Sequence, residues 1–154
     1  MKLRSIAAAL GLVAFGLGAC NAPPKTGGNA KICVDFKTAK TAPALASADG
    51  AGLLEECVRR WAYSLAPSRD DADVVAEAVV AACTPQLSRW NQQTLSRPAS
   101  EGQATSITTG EPTTPLAEHN AFSHARALFY VVQARAGSCP APAAVHGVPE
   151  GIVG

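Results

Sequence analysis

Aromatic side chains are scarce in this chain: two Trp, two Tyr and four Phe make up 5 % of its 154 residues. Charged residues reach only 16 %, and 13 Lys and Arg against 12 Asp and Glu leave a formal net charge of +1. A balance so close to zero sets up no field that draws in a polyanion, so nucleic acid is not an expected partner. No histidine stands in H-E-x-x-H, no serine in G-x-S-x-G, and no glycine-rich phosphate loop occurs. None of the five cysteines forms a C-x-x-C pair, so the spacing of a zinc site is missing too. Neither a metal nor a cofactor is therefore expected. These absences remove any basis for naming an enzymatic activity, although a site assembled from separate segments leaves no local motif. The chain also lacks the run of about 20 apolar residues that crosses a bilayer core.

What is present begins at the N-terminus. Lys2 and Arg4 precede an uncharged stretch, Ile6 to Ala19, dominated by Ala, Leu, Val, Phe and Gly. At 1.5 Å per residue that stretch reaches about 21 Å, short of the roughly 30 Å of a hydrocarbon core. A basic start followed by a short apolar run and small residues is the layout of a secretory signal peptide. The segment closes on Leu17-Gly18-Ala19-Cys20, and this ending resembles the lipobox of bacterial lipoproteins. The resemblance covers the first 20 residues only. It implies cleavage before Cys20, diacylglycerol on the Cys20 thiol and acylation of the new amine. Such an anchor holds because each buried methylene contributes about 0.8 kcal/mol and two or more chains bind stably. Asn21 stands where Asp would mark inner-membrane retention in the Gram-negative pattern, so the resemblance implies the periplasmic face of the outer membrane. An ordinary signal peptide, with Cys20 free or in a disulfide, is the alternative.

Removal of the first 19 of the 154 residues leaves 135, enough for one small domain. Residues 20–31 are rich in Pro, Gly and Asn and read as a flexible tether. Besides Cys20 the remainder holds Cys33, Cys57, Cys83 and Cys139, an even number that reads as a disulfide framework in an exported chain. Four cysteines allow three pairings. Ile32, Val34 and Phe36 alternate with Cys33 and Asp35, which suggests a short extended segment.

Helical periodicity starts near Gly50. Leu54, Cys57, Val58, Trp61 and Leu65 share one face, Glu55–Arg59 and Glu56–Arg60 are i,i+4 pairs, and Pro67 ends the helix. Ser68 then serves as a cap, with Asp71 three residues on, and Asp70, Asp71 and Asp73 complement the helix dipole rather than bind calcium. The second stripe is Val75, Val79, Cys83, Leu87 and Trp90. Pro85 inside it must bend or divide the helix. Cys57 and Cys83 lie on the apolar faces of consecutive helices and are the preferred pair. In a straight hairpin they are offset by about 9 Å, which helix crossing has to absorb. Elimination then pairs Cys33 with Cys139.

Residues 96–115 form a Ser/Thr/Gly/Pro-rich loop, read as mobile, and a third helix runs from Pro115 to about Ala136. Its expected apolar face is Ala125, Leu128, Phe129, Val132 and Ala136, widened by Phe122 and Val131, with Gly137 as the C-cap. Residues 140–154 read as an irregular tail. Trp61 and Trp90 fill core. His119 and His124 lie about 140° apart on their helix and His146 sits in the tail, so none is a joint metal ligand. The whole reads as an all-α domain, residues 32–139, of about three helices, stapled by disulfides. The function expected is a non-catalytic binding or scaffolding lipoprotein of the bacterial envelope, held to the membrane by its lipid and partnered with an envelope protein. The alternatives are an inhibitor or accessory subunit of an envelope enzyme, and a small hydrolase with a spatially assembled site.

Overall fold

Residues 30–37, 49–96, 105–106 and 109–153 are described by a computed structural model of the chain. The signal-like segment and Cys20 lie outside the described residues, as does most of the proposed tether. Among the described residues four α-helices carry the fold: α1 (Gly50–Leu65), α2 (Ala72–Ala82), α3 (Thr84–Leu95) and α4 (Pro115–Gly137). A 3-10 turn at Ala30–Ile32 precedes them, and a two-stranded antiparallel hairpin, β1 (Ala144–Val145) and β2 (Val148–Pro149), follows. The fold is predominantly α, with one helix more than the expected three.

The extra helix comes from Pro85. Its ring excludes the carbonyl four residues back, so the second apolar stripe breaks at Cys83, and Pro85 takes a first-turn position in α3 where no N–H is needed. The Thr84 hydroxyl donates to the exposed Ala81 carbonyl at 2.7 Å and satisfies it. α1 has the bounds its pattern implies. Asp49 accepts from the Ala51 amide at 3.2 Å, and Leu54, Cys57, Val58 and Tyr63 are buried along its inner face. Trp61 and Leu65 are only partly buried against the core, and Trp90 likewise.

α2 starts later than its sequence suggests. Ser68 does not cap it: the hydroxyl donates to the Asp70 carboxylate and accepts from the Asp70 amide at 3.2 Å. The loop is held out of the helix by Arg135 of α4, whose guanidinium donates to the carbonyls of Ala66 (3.0 Å), Ser68 (3.1 Å) and Asp70 (2.8 Å). One arginine thereby serves the carbonyl end of α1 and the connection to α2.

α4 lies against α1, α2 and α3 and is the centre of the domain. Thr114 caps its start by accepting from the Ala117 amide. The left-handed residue at its end is Ser138 (φ 51°), not Gly137. The Cys139 amide donates to Ala134 and the Ser138 amide to Arg135, a Schellman closure. Gly137 is needed for a different reason: a Cβ there would stand 2.5 Å from the Cys139 sulfur and 2.8 Å from that of Cys33.

Two expectations at the ends are corrected. Residues 32–36 do not form a strand. Ile32 ends the 3-10 turn and residues 33–36 follow it, and the segment docks through Tyr63, whose hydroxyl accepts from the Val34 amide at 3.2 Å, and through Gln133, which donates to the Ile32 carbonyl at 2.9 Å. The tail is not irregular throughout. His146 (φ 50°) and Gly147 (φ 80°) supply the two left-handed residues of a tight hairpin turn. Of the loop before α4, Thr105 and Pro112 form an antiparallel bridge; residues 97–104, 107 and 108 lie outside the described residues.

Candidate functional site

The four cysteines expected to pair do so in the structure as Cys57–Cys83 and Cys33–Cys139. The first joins α1 to the α2–α3 junction inside the core, where both residues are almost fully buried. Their Cα atoms stand 5.9 Å apart, with Cys83 at the break between α2 and α3, so the offset of a straight hairpin is closed. The second ties the N-terminal segment to the end of α4. All four sulfurs are thus in disulfides, and none is available as a nucleophile or metal ligand.

Next to the Cys33–Cys139 bond lies a cleft of about 790 Å³, lined by Phe36, Arg60, Pro140, Pro142 and Glu150 among others. Lys37 and Arg60 both line it, and Arg60 is already employed. Arg60, 3 % exposed, donates through Nε to Glu56 at 2.6 Å and through Nη1 to the Glu150 carbonyl, and its guanidinium lies 5.0 Å from the Phe36 ring centroid. Burial lowers its pKa against the raising effect of the Glu150 charge. The expected Glu56–Arg60 pair is present, but the expected Glu55–Arg59 pair is not: Arg59 turns to Glu56, and Glu55 is taken by Arg126 of α4.

That exchange builds a network across α1 and α4. Arg126 Nε donates to both Glu55 oxygens at 3.0 and 2.9 Å, and the Tyr130 hydroxyl donates to the same carboxylate. Burial alone would raise the Glu55 pKa; the hydrogen bonds from Arg126 and Tyr130 and the Arg126 charge outweigh it, so the carboxyl lies below its ordinary value. Burial and the Glu55 hydrogen bond push Tyr130 up to about 12.

The histidines separate as their helical angles imply. His119 is buried against α3, stacked on Trp90 with centroids 3.5 Å apart and with Nδ1 2.6 Å from Asn91 Oδ1. Burial lowers its pKa, which favours the neutral ring. His124 faces α2 instead, with Nε2 3.3 Å from Asp73 Oδ1. Glu77 joins them, and one ligand atom from each of the three lies within 4.8 Å of the others. Sequence reasoning missed this grouping because it exists only when α2 lies beside α4. The cluster lies at the surface, with Asp73 and Glu77 exposed and His124 partly so. His146 sits in the hairpin turn.

The largest departure from expectation concerns α4. Its buried face is His119, Ser123, Ala127, Tyr130, Val131, Ala134 and Gly137. The side expected to be core faces solvent: Phe122 is 39 % exposed, Phe129 52 % and Val132 50 %, with Ala125 and Ala136 also exposed. The inner face mixes small residues, Ser123, Ala127, Ala134 and Gly137, with His119, Tyr130 and Val131, each of which has a place against the other helices. Leu128 is partly buried and Val131 fully, so they do belong to the core side. The outer stripe is flanked by fixed charges. Arg126 is pinned to Glu55 and lies 5.9 Å from the Phe122 centroid and 5.7 Å from that of Phe129, and Arg135 is pinned to the α1–α2 loop.

Among the described residues no helix is long and apolar enough to cross a membrane. The class defined so far is a two-disulfide, four-helix domain with a terminal hairpin. No protein-family model, curated protein or solved structure matches the chain.

Proposed function

We propose that this chain is a lipid-anchored, non-catalytic binding or scaffolding protein of the bacterial envelope, held at the periplasmic face of the outer membrane through Cys20. The observation that carries the binding role is the outer stripe of α4. Two phenylalanines and a valine, exposed by 39 to 52 %, follow one another along a rigid helix with no segment among the described residues covering them. Large apolar side chains left exposed in one row of a stapled domain, with an arginine laid between them, support an interaction role. The flanking arginines are held by the fold itself, so the stripe meets a partner as a preformed surface and little side-chain entropy is lost on docking. The disulfides suit an oxidising compartment, in keeping with export.

Two measurements test this. A photo-crosslinking residue at Phe129, in cells expressing the full chain, is expected to yield a defined adduct, whereas the same residue at the exposed Glu111 is not. Equal, diffuse labelling from both positions would overturn the binding face. Metabolic labelling with a fatty-acid analogue is expected to mark the chain and to be lost in Cys20→Ser, and an unlabelled parent chain would overturn the anchor.

A further inference from the structure

Two carboxylates stand together on α2 with no cation of that helix beside them. Asp73 and Glu77 are four residues apart, the spacing at which like charges on a helix repel. α2 contains no Lys or Arg, and among the described residues the Glu77 carboxylate has neither a hydrogen bond nor an ion pair. What faces the two acids is His124 of α4, with Nε2 3.3 Å from Asp73 Oδ1. One ligand atom of each of the three residues lies within 4.8 Å of the others. With the imidazole neutral the group carries two negative charges, which one divalent cation offsets.

The core holds these donors in place. Val75, Ala76 and Val79 are buried beside the acids on α2, and the fully buried Ser123 and Ala127 flank His124 on α4. The backbone under all three donors is therefore fixed, and only side-chain torsions remain to be ordered when a ligand enters. From this arrangement we propose that Asp73, Glu77 and His124 form a Zn2+ site bridging α2 and α4, with one coordination position left open to solvent. His124 lies about 140° around α4 from Phe129, so the site and the outer stripe are different surfaces and neither assignment depends on the other.

The donor set selects the metal. One imidazole nitrogen and two carboxylate oxygens suit a borderline ion such as Zn2+, whereas Ca2+ and Mg2+ take all-oxygen sets. Zinc holds such donors at about 2.0–2.1 Å, and the corners of a tetrahedron of that size stand about 3.3 Å apart. The separation of His124 and Asp73 already has this value. The exposed Glu77 side chain completes the set by swinging inward from within 4.8 Å. Three protein ligands leave the fourth position to water or to a donor from another molecule. Because the ligands belong to two helices, the metal ties α2 to α4 and binds the folded chain in preference to the unfolded one.

Titration calorimetry with Zn2+ tests the site. The full chain is used without a histidine tag and with Cys20→Ser, which removes the thiol outside the two disulfides. One zinc per chain is expected, with a Kd on the order of 10 µM. His124→Gln and Glu77→Gln lie at the surface and are compatible with folding, and each is expected to weaken binding at least tenfold. His146→Gln removes an exposed histidine in the terminal hairpin and is expected to leave binding unchanged. Zinc at tenfold excess over its Kd is expected to raise the melting temperature by about 5 °C in the parent and not in His124→Gln. Ca2+ and Mg2+ at about 1 mM are expected not to displace the zinc. No saturable binding below about 1 mM zinc overturns the site. Parent affinity retained in His124→Gln or Glu77→Gln, or a loss in His146→Gln equal to that in His124→Gln, means an adventitious ion only and overturns it as well. Displacement by Ca2+ or Mg2+ overturns the choice of zinc.

Discussion

Glu55 takes its partners from a helix 71 residues further along the chain, in place of the arginine one turn away. Its pKa is lowered, so its contribution to stability is complete above the ordinary carboxylate value and is lost as pH falls through the depressed one. Glu55→Gln is expected to reduce stability at pH 7 by about 1–2 kcal/mol, a modest figure because the Arg126 side chain is 40 % exposed and solvent weakens the pair. Urea denaturation checks the loss, and its shrinkage as pH falls below the ordinary carboxylate range checks the cause. His119 acts in another window. Its folded pKa is lowered by burial beside Trp90 and Asn91, so the unfolded chain takes up the proton first. Stability is therefore complete above about 6.5, the ordinary histidine value, and declines on acidification below it. His119→Phe keeps the stack without the proton, and is expected to flatten the melting temperature between pH 7 and 5. A slope equal to that of the parent would show that another group carries it.

At the scale of elements, the terminal hairpin is too short to hold itself: two residues in each strand make a ribbon that needs packing. Arg60 supplies the attachment through the Glu150 carbonyl, and Gln86 adds a bond to the Val153 carbonyl at 2.8 Å. Arg60→Met retains the stem but loses the donors. Amide exchange at Val145, Val148 and Glu150 is expected to accelerate at least tenfold, with exchange in the interior of α4 changed much less. Equal acceleration in both places would mean that Arg60 supports the domain and not the tail. Nothing in the sequence announces this role, because Glu150 lies 90 residues from Arg60 and offers only a backbone carbonyl. Local chemistry was legible: the ends of α1, the break forced by Pro85 and the start of α4 follow from periodicity, caps and prolines. The α4 face was not. Hydrophobicity selects Phe122, Phe129 and Val132 as core, but the face that the other helices bury is His119, Ser123, Ala127, Tyr130, Val131, Ala134 and Gly137, four of them small and two polar rings held by side-chain partners. Periodicity locates a stripe and does not say whether the chain or a partner covers it. The Ser68 cap failed similarly, because Arg135 claims that loop from a distant helix.

For the molecule as a whole, the two disulfides enclose different amounts of chain. Cys57–Cys83 spans 26 residues and Cys33–Cys139 spans 106. Loop-closure entropy alone assigns them about 3.5 and about 4.8 kcal/mol. Their surroundings shift the order. Cys57 and Cys83 are 2 % and 0 % exposed, so replacing both with Ala also opens a small void in the core. Cys33 and Cys139 are half-buried, and hydrogen bonds to Tyr63 and Gln133 give the segment they tie down a second, weaker attachment. The double Ala variants are therefore expected to lose similar amounts, about 3–5 kcal/mol each, by different routes. Loss of Cys57–Cys83 is expected to loosen α1 against the α2–α3 junction and speed unfolding throughout the core. Loss of Cys33–Cys139 is expected to release residues 30–37 first, seen as early exchange at Val34. A small domain has roughly 5–15 kcal/mol to lose, so reduction of both bonds is expected to unfold it near 37 °C, measurable by circular dichroism in the presence of a reductant. A reduced chain that kept its helical signal and melting temperature would show that helix packing alone holds the fold, and that the staples serve some purpose other than stability.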